Sequence, residues 1–259
     1  MIVLIHTSKT MRGTPSGGRP SGTPALLDKA EELIGYLRTL SPRQLSTVMQ
    51  VSGPLADKTR EQLSTWSTDP ESQSPAAESF LGDIYSGLRV SSFTAADRRY
   101  ADTHLRIISG LYGILRPFDG IRPYRLEMGY RLPDRRYANL YRYWGSSIAE
   151  QLPATGRIVN LAANEYSKAV LSHVDASRVV TPRFLTVEEQ SGQPRFVAVH
   201  AKVARGAFAH WLVTGRVKEK ALVDFEDIGY QYAPELSSAA EPTFVCNEFG
   251  GKGLSVRLT

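Results

Sequence analysis

The chain has 259 residues, of which 42% are apolar and 22% charged, ordinary values for a globular protein with ample length to bury a core. Its 15 prolines and 21 glycines follow no period and its single cysteine has no partner, which excludes collagen-like chains and disulfide scaffolds. The 31 Lys and Arg against 26 Asp and Glu leave a net charge of +5, which admits an acidic partner without demanding one.

In chain order, Ile2-Val3-Leu4-Ile5 predicts a buried strand whose C-terminal end delivers His6, Thr7, Ser8 and Lys9, the place where open α/β sheets carry chemistry. This opening run is too short for a signal segment, Lys9 and Arg12 follow rather than precede it, and nowhere do roughly 18 apolar residues run together. A cytoplasmic protein with no membrane partner is therefore expected. Residues 13–24, rich in Gly, Pro, Ser and Thr, predict a mobile loop, and 67–78 a second, inside one domain spanning 1–259. Between them, from Pro24 to about Trp66, the spacing of Leu26, Ala30, Leu33 and Leu37 predicts helices, with Ser41-Pro42 as an N-cap and first helical residue. Residues 80–88 mix apolar side chains with hinge glycines and offer Asp83 and Tyr85 as site candidates. Thr94 and Asp97 form a capping box for a helix that carries Ala101, Leu105 and Ile108 on one face and Arg98, Asp102 and Arg106 on the other, stopped by Ser109-Gly110. Residues 157–161 read as another buried strand, followed by a helix capped by Asn164 and carrying Glu165 and Lys168. Phe196-Val197-Ala198-Val199 reads as a third strand, before a helix that packs Ala204, Phe208 and Trp211 and stops at Gly215. Phe244-Val245-Cys246 reads as a late strand, with Cys246 a strand residue, and residues 250–253 as flexible.

The charge is concentrated. Residues 98–142 hold ten arginines, no lysine and four acids (Asp102, Asp119, Glu127 and Asp134), a local charge of +6 that exceeds the net charge of the whole chain. Arginine without lysine favours bidentate contacts to phosphate or carboxylate, and the interleaved Tyr100, Tyr112, Tyr124, Tyr130 and Tyr137 suit base stacking. The alternative is that single arginines pair with the local acids and stack on the tyrosines as internal glue. For the cluster as a whole the expectation is one concave anion receptor. Within it, Gly110 and Gly113 bracket a turn that could present backbone amides to a phosphate, or serve as an ordinary helix cap.

Four stretches then carry a resemblance: 109–117 (SGLYGILRP), 123–129 (PYRLEMG), 140–145 (LYRYWG) and 160–166 (NLAANEY), together with 80–88 (FLGDIYSGL) and 201–206 (AKVARG). In order and spacing they resemble the YaaA family of peroxide-stress proteins over nearly the whole chain. The resemblance implies a family-specific α/β (mixed α+β) fold with a central mixed sheet, flanking helices and a helix-hairpin-helix-like element. It further implies a positively charged cleft, DNA as partner, and a role in limiting iron-driven oxidative damage. By resemblance the hairpin falls on Gly110 to Gly113, flanked by Arg106 and Arg116. The chain departs from the family pattern at His6-Thr7-Ser8-Lys9-Thr10, usually Ser-Pro-Ala-Lys-Thr, at Lys202-Val203-Ala204-Arg205, usually a double lysine, and in lacking a basic tail.

The matched positions also hold more pocket-type residues than a backbone binder needs. Asp83, Tyr85, Tyr124, Asn160 and Asn164 are candidates for a pocket, Lys9, Arg125, Lys168, Lys202 and Arg205 for anion binding, and Glu127 or Glu165 for acid/base work, with His6 as a proton shuttle. This alternative is an enzyme acting on a nucleobase-, nucleoside- or nucleotide-like molecule. P-loop, dinucleotide and zinc motifs do not occur, and the five histidines are dispersed, so no cofactor and no metal are expected.

Overall fold

Ile2-Val3-Leu4-Ile5 is apolar toward both faces, the pattern of a strand covered on both sides, and it forms the middle of the main sheet. The computed structural model of the protein describes residues 1–12, 18–251 and 253. In them β1 (Ile2–His6) is followed by β2 (Thr10–Met11), α1 (Leu27–Leu37), α2 (Pro42–Met49), α3 (Gly53–Ser64), β3 (Ser74–Pro75), α4 (Ala76–Ser79), β4 (Phe80–Leu81), α5 (Asp83–Leu88) and α6 (Ala95–His104). Next come β5 (Leu105–Ser109), β6 (Gly113–Leu115), β7 (Gly120–Ile121), α7 (Leu140–Trp144), β8 (Ile158–Asn160), α8 (Asn164–Leu171) and β9 (Val179–Val180). The order ends with β10 (Arg183–Val187), β11 (Pro194–Arg195), α9 (Ala198–Thr214), β12 (Tyr230–Tyr232) and β13 (Thr243–Cys246).

The fold is mixed α/β. The main sheet runs β6-β5-β1-β8-β9, with β5, β1, β8 and β9 parallel and β6 antiparallel at the edge. Because the chain leaves β1 for β5 on one side and later returns to β8 on the other, the carboxyl end of β1 is a switch point of strand order, where α/β sheets open a crevice. A second sheet runs β11-β10-β13-β12, with β10 parallel to β13. Its core is aromatic: the Phe184 ring lies within 5.7 Å, centre to centre, of Phe208 and Phe244, and Tyr230 packs against it edge-on.

Helix α9 joins the two sheets, and its fit against α5 depends on two glycines. A Cβ on Gly87 would collide with the Val203 carbonyl, and one on Gly206 with the Ile84 carbonyl. The residue expected as a hinge at 87 is therefore a close-contact site, where the two backbones touch because neither residue carries a side chain. The N-cap expected at Ser41 is present as a full capping box, its hydroxyl accepting from the Gln44 amide while the Gln44 side chain accepts from the Ser41 amide. The Thr94–Asp97 box is likewise formed, Gly215 caps α9, and Cys246 is a fully buried residue of β13 whose thiol burial pushes up to about 11.

Three expectations are corrected. Leu105, Arg106 and Ile108 do not continue α6; they form β5, paired with β1 from Val3–Leu105 to His6–Ile108. A short apolar run with β-branched residues fits either state locally, and here the demand for a strand beside β1 decides. Phe196 to Val199 is not a strand: Phe196 is exposed and Ala198 already opens α9. Asn164 does not cap α8; Ala163 holds that position and Asn164 is the first helical residue. The stretch 67–78, read as a loop, holds a 3-10 turn at Pro70–Ser72 and the strand β3 paired with β7. Of 13–24, residues 13–17 lie outside the described residues, while Gly22 bridges Asp119 and the Ser21 amide donates to Phe118. Lys252 of the 250–253 stretch also lies outside the described residues.

Candidate functional site

At the carboxyl end of β1 a cleft of about 570 Å³ opens between residues 6–10, residues 81–86 around the start of α5, Glu127, the start of α8, and Lys202 of α9. Such a volume suits a small molecule. Each wall has a local cause. β1 carries His6 and Thr7 to the rim. Gly82 enters α5 at φ +113°, a left-handed conformation that leaves room for the Ser8 hydroxyl, 3.1 Å from where a Cβ would sit. The Gly87–Gly206 contact draws α9 close enough for Lys202 to form part of the lining.

Three linked hydrogen bonds organise the floor. The Ala163 amide, ahead of α8, donates to His6 Nδ1 at 3.1 Å, and the His6 ring stacks on Tyr166 with centres 4.8 Å apart. Tyr166 donates its hydroxyl to Glu127 Oε2 at 2.8 Å, and Tyr85 donates to the His6 carbonyl at 3.1 Å. An amide that donates to Nδ1 requires that nitrogen to be bare, so the ring proton of neutral His6 sits on Nε2. Burial first, then the charges of Arg205 and Lys202, pull the imidazole down to about 3. At neutral pH His6 is therefore an uncharged acceptor for the start of α8.

Glu127 is buried, and loss of solvation raises its carboxyl above the usual range. The Tyr166 hydrogen bond and the charges of Lys9 and Arg125 oppose that shift, and Glu165 adds to it. Glu165 is exposed on α8; its Oε1 accepts the Gly129 amide at 2.9 Å and its carbonyl accepts the Tyr141 hydroxyl at 2.8 Å. It thus bolts the 127–130 turn to α8 while lining the cleft. Of the two carboxylates, Glu127 has the perturbed environment of an acid/base group.

The structure brings His6, Lys9, Asp83, Tyr85, Glu127, Glu165 and Lys202 together around the cleft. Arg125 lies behind the rim, donating to the Lys9 carbonyl at 3.3 Å, and Arg205 follows Lys202 by three residues on α9. Tyr124 lies beneath, its hydroxyl 2.6 Å from Ser109 Oγ. Asn160 and Asn164 do not line it: the Asn160 side chain is spent on the Ala162 amide and Thr181, and Asn164 is exposed. Lys168 points over the Tyr141 ring instead, 4.1 Å from its centre. Tyr166, central to the floor, was missed as a functional residue by sequence reasoning, although it ends the 160–166 stretch.

A family model described as peroxide stress protein YaaA matches residues 1–236. The chain belongs to that family. A UPF0246 protein of Salinispora tropica is 60% identical over 99% of this chain and 98% of its own length. UPF0246 proteins of Shewanella halifaxensis, at 37%, and Roseobacter denitrificans, at 40%, are each matched over 95% of this chain and 98% of their own. No helix among the described residues is long and apolar enough to cross a membrane, and no group of three or more His, Cys, Asp or Glu among them could hold a metal ion.

In this YaaA-family chain the turn expected to be a phosphate-binding hairpin has another task. Gly110 to Gly113 joins β5 to β6 in a β-hairpin, and no helix borders it on its C-terminal side. Leu111 and Tyr112 are fully buried and both amides donate to Ser109 Oγ, at 3.2 and 2.9 Å. The Gly110 carbonyl accepts from the buried Trp144 indole at 3.1 Å. Gly113, at φ +69°, lies under the same indole, and Gly110 against the Leu126 backbone.

The arginines of 98–142 do not converge on one receptor either. Arg98 pairs with Glu78 at 2.6 Å and covers Phe118, Arg106 folds back onto the Asp102 and Leu105 carbonyls, and Arg116 faces Asp102 at 4.0 Å. Arg122 ties down the Ser72 and Thr65 carbonyls. Arg131, Arg135, Arg136 and Arg142 gather instead with Lys29 around a separate groove of about 560 Å³, where Glu32 pairs with Arg136 at 2.8 Å. Loops without regular structure carry most of these residues, so periodicity held no information about where they meet.

Proposed function

We propose that this protein serves the peroxide-stress role of its family by binding and transforming a small polar molecule in the cleft at the end of β1. The observation that carries the reading is the buried Glu127, raised by desolvation and held on one oxygen by Tyr166 beside Lys9. Burial raises this carboxyl and so strengthens its hold on a proton, and a positioned acid/base group of this kind contributes roughly 10²–10⁴-fold to rate. Lys9 and Arg125 supply positive charge near that carboxyl. His6 holds the start of α8, and so Tyr166, in register. The tyrosines favoured as stacking surfaces are instead committed to internal hydrogen bonds: Tyr85 to His6, Tyr124 to Ser109 and Tyr166 to Glu127. This supports a compact polar substrate over a stacked nucleobase.

The test is complementation. A strain lacking the gene is challenged with hydrogen peroxide while expressing wild type or Glu127→Gln, and both proteins are incubated with a bacterial metabolite extract followed by mass spectrometry. Glu127→Gln should fail to restore survival and should leave untouched a compound that wild type consumes. Full rescue by the variant, with no compound consumed by wild type, refutes the reading.

A second reading, binding of the DNA backbone, is favoured by one observation: Lys29, Arg131, Arg135, Arg136 and Arg142 share a groove that holds a single acid, Glu32. Neutralising Arg131, Arg135 and Arg142 together should weaken duplex binding and flatten its dependence on salt. Replacing Arg106, which is spent on the Asp102 and Leu105 carbonyls, and Arg116, which faces Asp102, should change neither. The reverse pattern overturns this placement.

A further inference from the structure

Lys9, Asp83, Glu127, Glu165 and Lys202 line the cleft, and its buried His6 and Glu127 feel different charges. Glu127 feels Lys9, Glu165 and Arg125, whereas His6 feels Arg205 and Lys202. Lys202 and Arg205, three apart on α9, share one face of that helix. Lys202 lines the cleft, and Arg205, one turn further along α9, is partly buried and lies near enough for its charge to act on His6. Among the described residues neither forms an ion pair with a carboxylate, and desolvation is the sole cause that depresses the Arg205 guanidinium. His6 supplies no counter-charge, since an imidazole is neutral or cationic. A desolvated guanidinium without a carboxylate partner is costly, and proteins keep such groups paired or use them to hold an anion. The other arginines of this chain illustrate the contrast, since Arg98, Arg136 and Arg216 each hold a carboxylate within 2.8 Å.

We propose that Lys202 and Arg205 form an anion seat beside His6 in the cleft, which takes the phosphate or carboxylate group of a small molecule that also meets Glu127. The proposal rests on the reading of the cleft as a ligand site and names the class of ligand. Lys202 supplies a point charge and Arg205 a planar fork with several donors, a combination that suits an oxyanion. The seated group anchors the molecule, and Glu127, in the same lining, exchanges a proton with it.

The test uses the full chain with labelled histidine side chains, the His6 signals being assigned by their loss in His6→Asn. Inorganic phosphate and acetate are titrated separately at constant ionic strength. One of them should shift the His6 signals saturably, in wild type and in Glu127→Gln alike, the stronger of the two naming the anion. Lys202→Met and Arg205→Met should each weaken that binding about tenfold or more, since each removes a charged hydrogen-bond donor. Arg205→Lys, which keeps the charge and guards against misfolding, should retain most of it. Silence of the His6 signals with both anions, or unchanged affinity in the Met variants, overturns the seat. Displacement of the phosphate by a short DNA duplex overturns the assignment to a small molecule. Loss of rescue in Glu127→Gln with no anion bound by wild type would sink the seat alone, whereas anion binding as described with full rescue by Glu127→Gln would sink only the catalytic reading.

Discussion

The neutral state of His6 has a measurable consequence for stability. In the folded protein its pKa is lowered to about 3, while in the unfolded chain it returns to the ordinary value of about 6.5. A group depressed on folding contributes stability that is complete above its unfolded pKa and is lost as pH falls toward the folded one. The window is therefore from about 6.5 down to about 3. At pH 5 the unfolded chain takes up this proton and the folded chain does not, a penalty of about 2 kcal/mol relative to pH 7.5. The perturbation is His6→Asn: an Asn carbonyl oxygen can replace Nδ1 as acceptor for the Ala163 amide, at 3.1 Å in the wild type, and cannot titrate. Urea denaturation of both proteins at pH 7.5 and 5.0 gives the quantity needed, because all other titrating groups are common to both. Wild type should lose about 2 kcal/mol more than His6→Asn between the two pH values. Equal losses would mean that His6 is protonated in the folded state, and the tautomer, the hydrogen bond to Ala163 and the electrostatics assigned to the anion seat would fall with it.

Other expectations are independent of that one. Gly206→Ala should destabilise by at least about 2 kcal/mol, since its methyl group meets backbone that cannot move aside, whereas Gly35→Ala, with open space around it on α1, should stabilise by about 0.5–1 kcal/mol; thermal melts of both decide, and equal effects refute the helix contact. Ser109→Ala strips two buried amides and the Tyr124 hydroxyl of their partner and should cost about 3 kcal/mol; a loss below about 1 kcal/mol in urea unfolding would show that the hairpin amides find other partners. Tyr166→Phe removes a hydrogen bond that favours the Glu127 carboxylate, so the Glu127 pKa should rise further, as read from its carboxyl carbon by NMR titration; a fall contradicts the assigned direction.

The difference between Glu127 and Glu165 in the cleft shows what kind of fact a sequence cannot hold. Glu127 and Glu165 were equivalent candidates as residues in matched motifs. Folding put one in a buried site behind Tyr166 and the other on an exposed helix face, bonded to the Gly129 amide. Likewise ten arginines within 45 residues read as one receptor, yet only Arg131, Arg135, Arg136 and Arg142 share a groove, while Arg98, Arg106, Arg116 and Arg122 are taken up by nearby carboxylates and carbonyls. Lys202 and Arg205, nearly two hundred residues from His6, reach it through the Gly87–Gly206 contact, which carries no local signal.

By itself the sequence determined what depends on near neighbours along the chain. The capping boxes at Ser41 and Thr94, the stop at Gly215, the buried strands at 2–5 and 158–160 and the delivery of His6 to a strand end all follow from side chains within a few residues of one another. Tertiary structure alone decided the rest. Leu105–Ser109 became a strand because β1 needed a parallel neighbour, and the Gly110–Gly113 amides turned inward because Ser109 and Trp144 claimed that corner. Whether a charge is exposed, paired or left free at the edge of a cleft depends on desolvation and on partners far away in the chain, and those quantities exist only once the sheet has closed around β1.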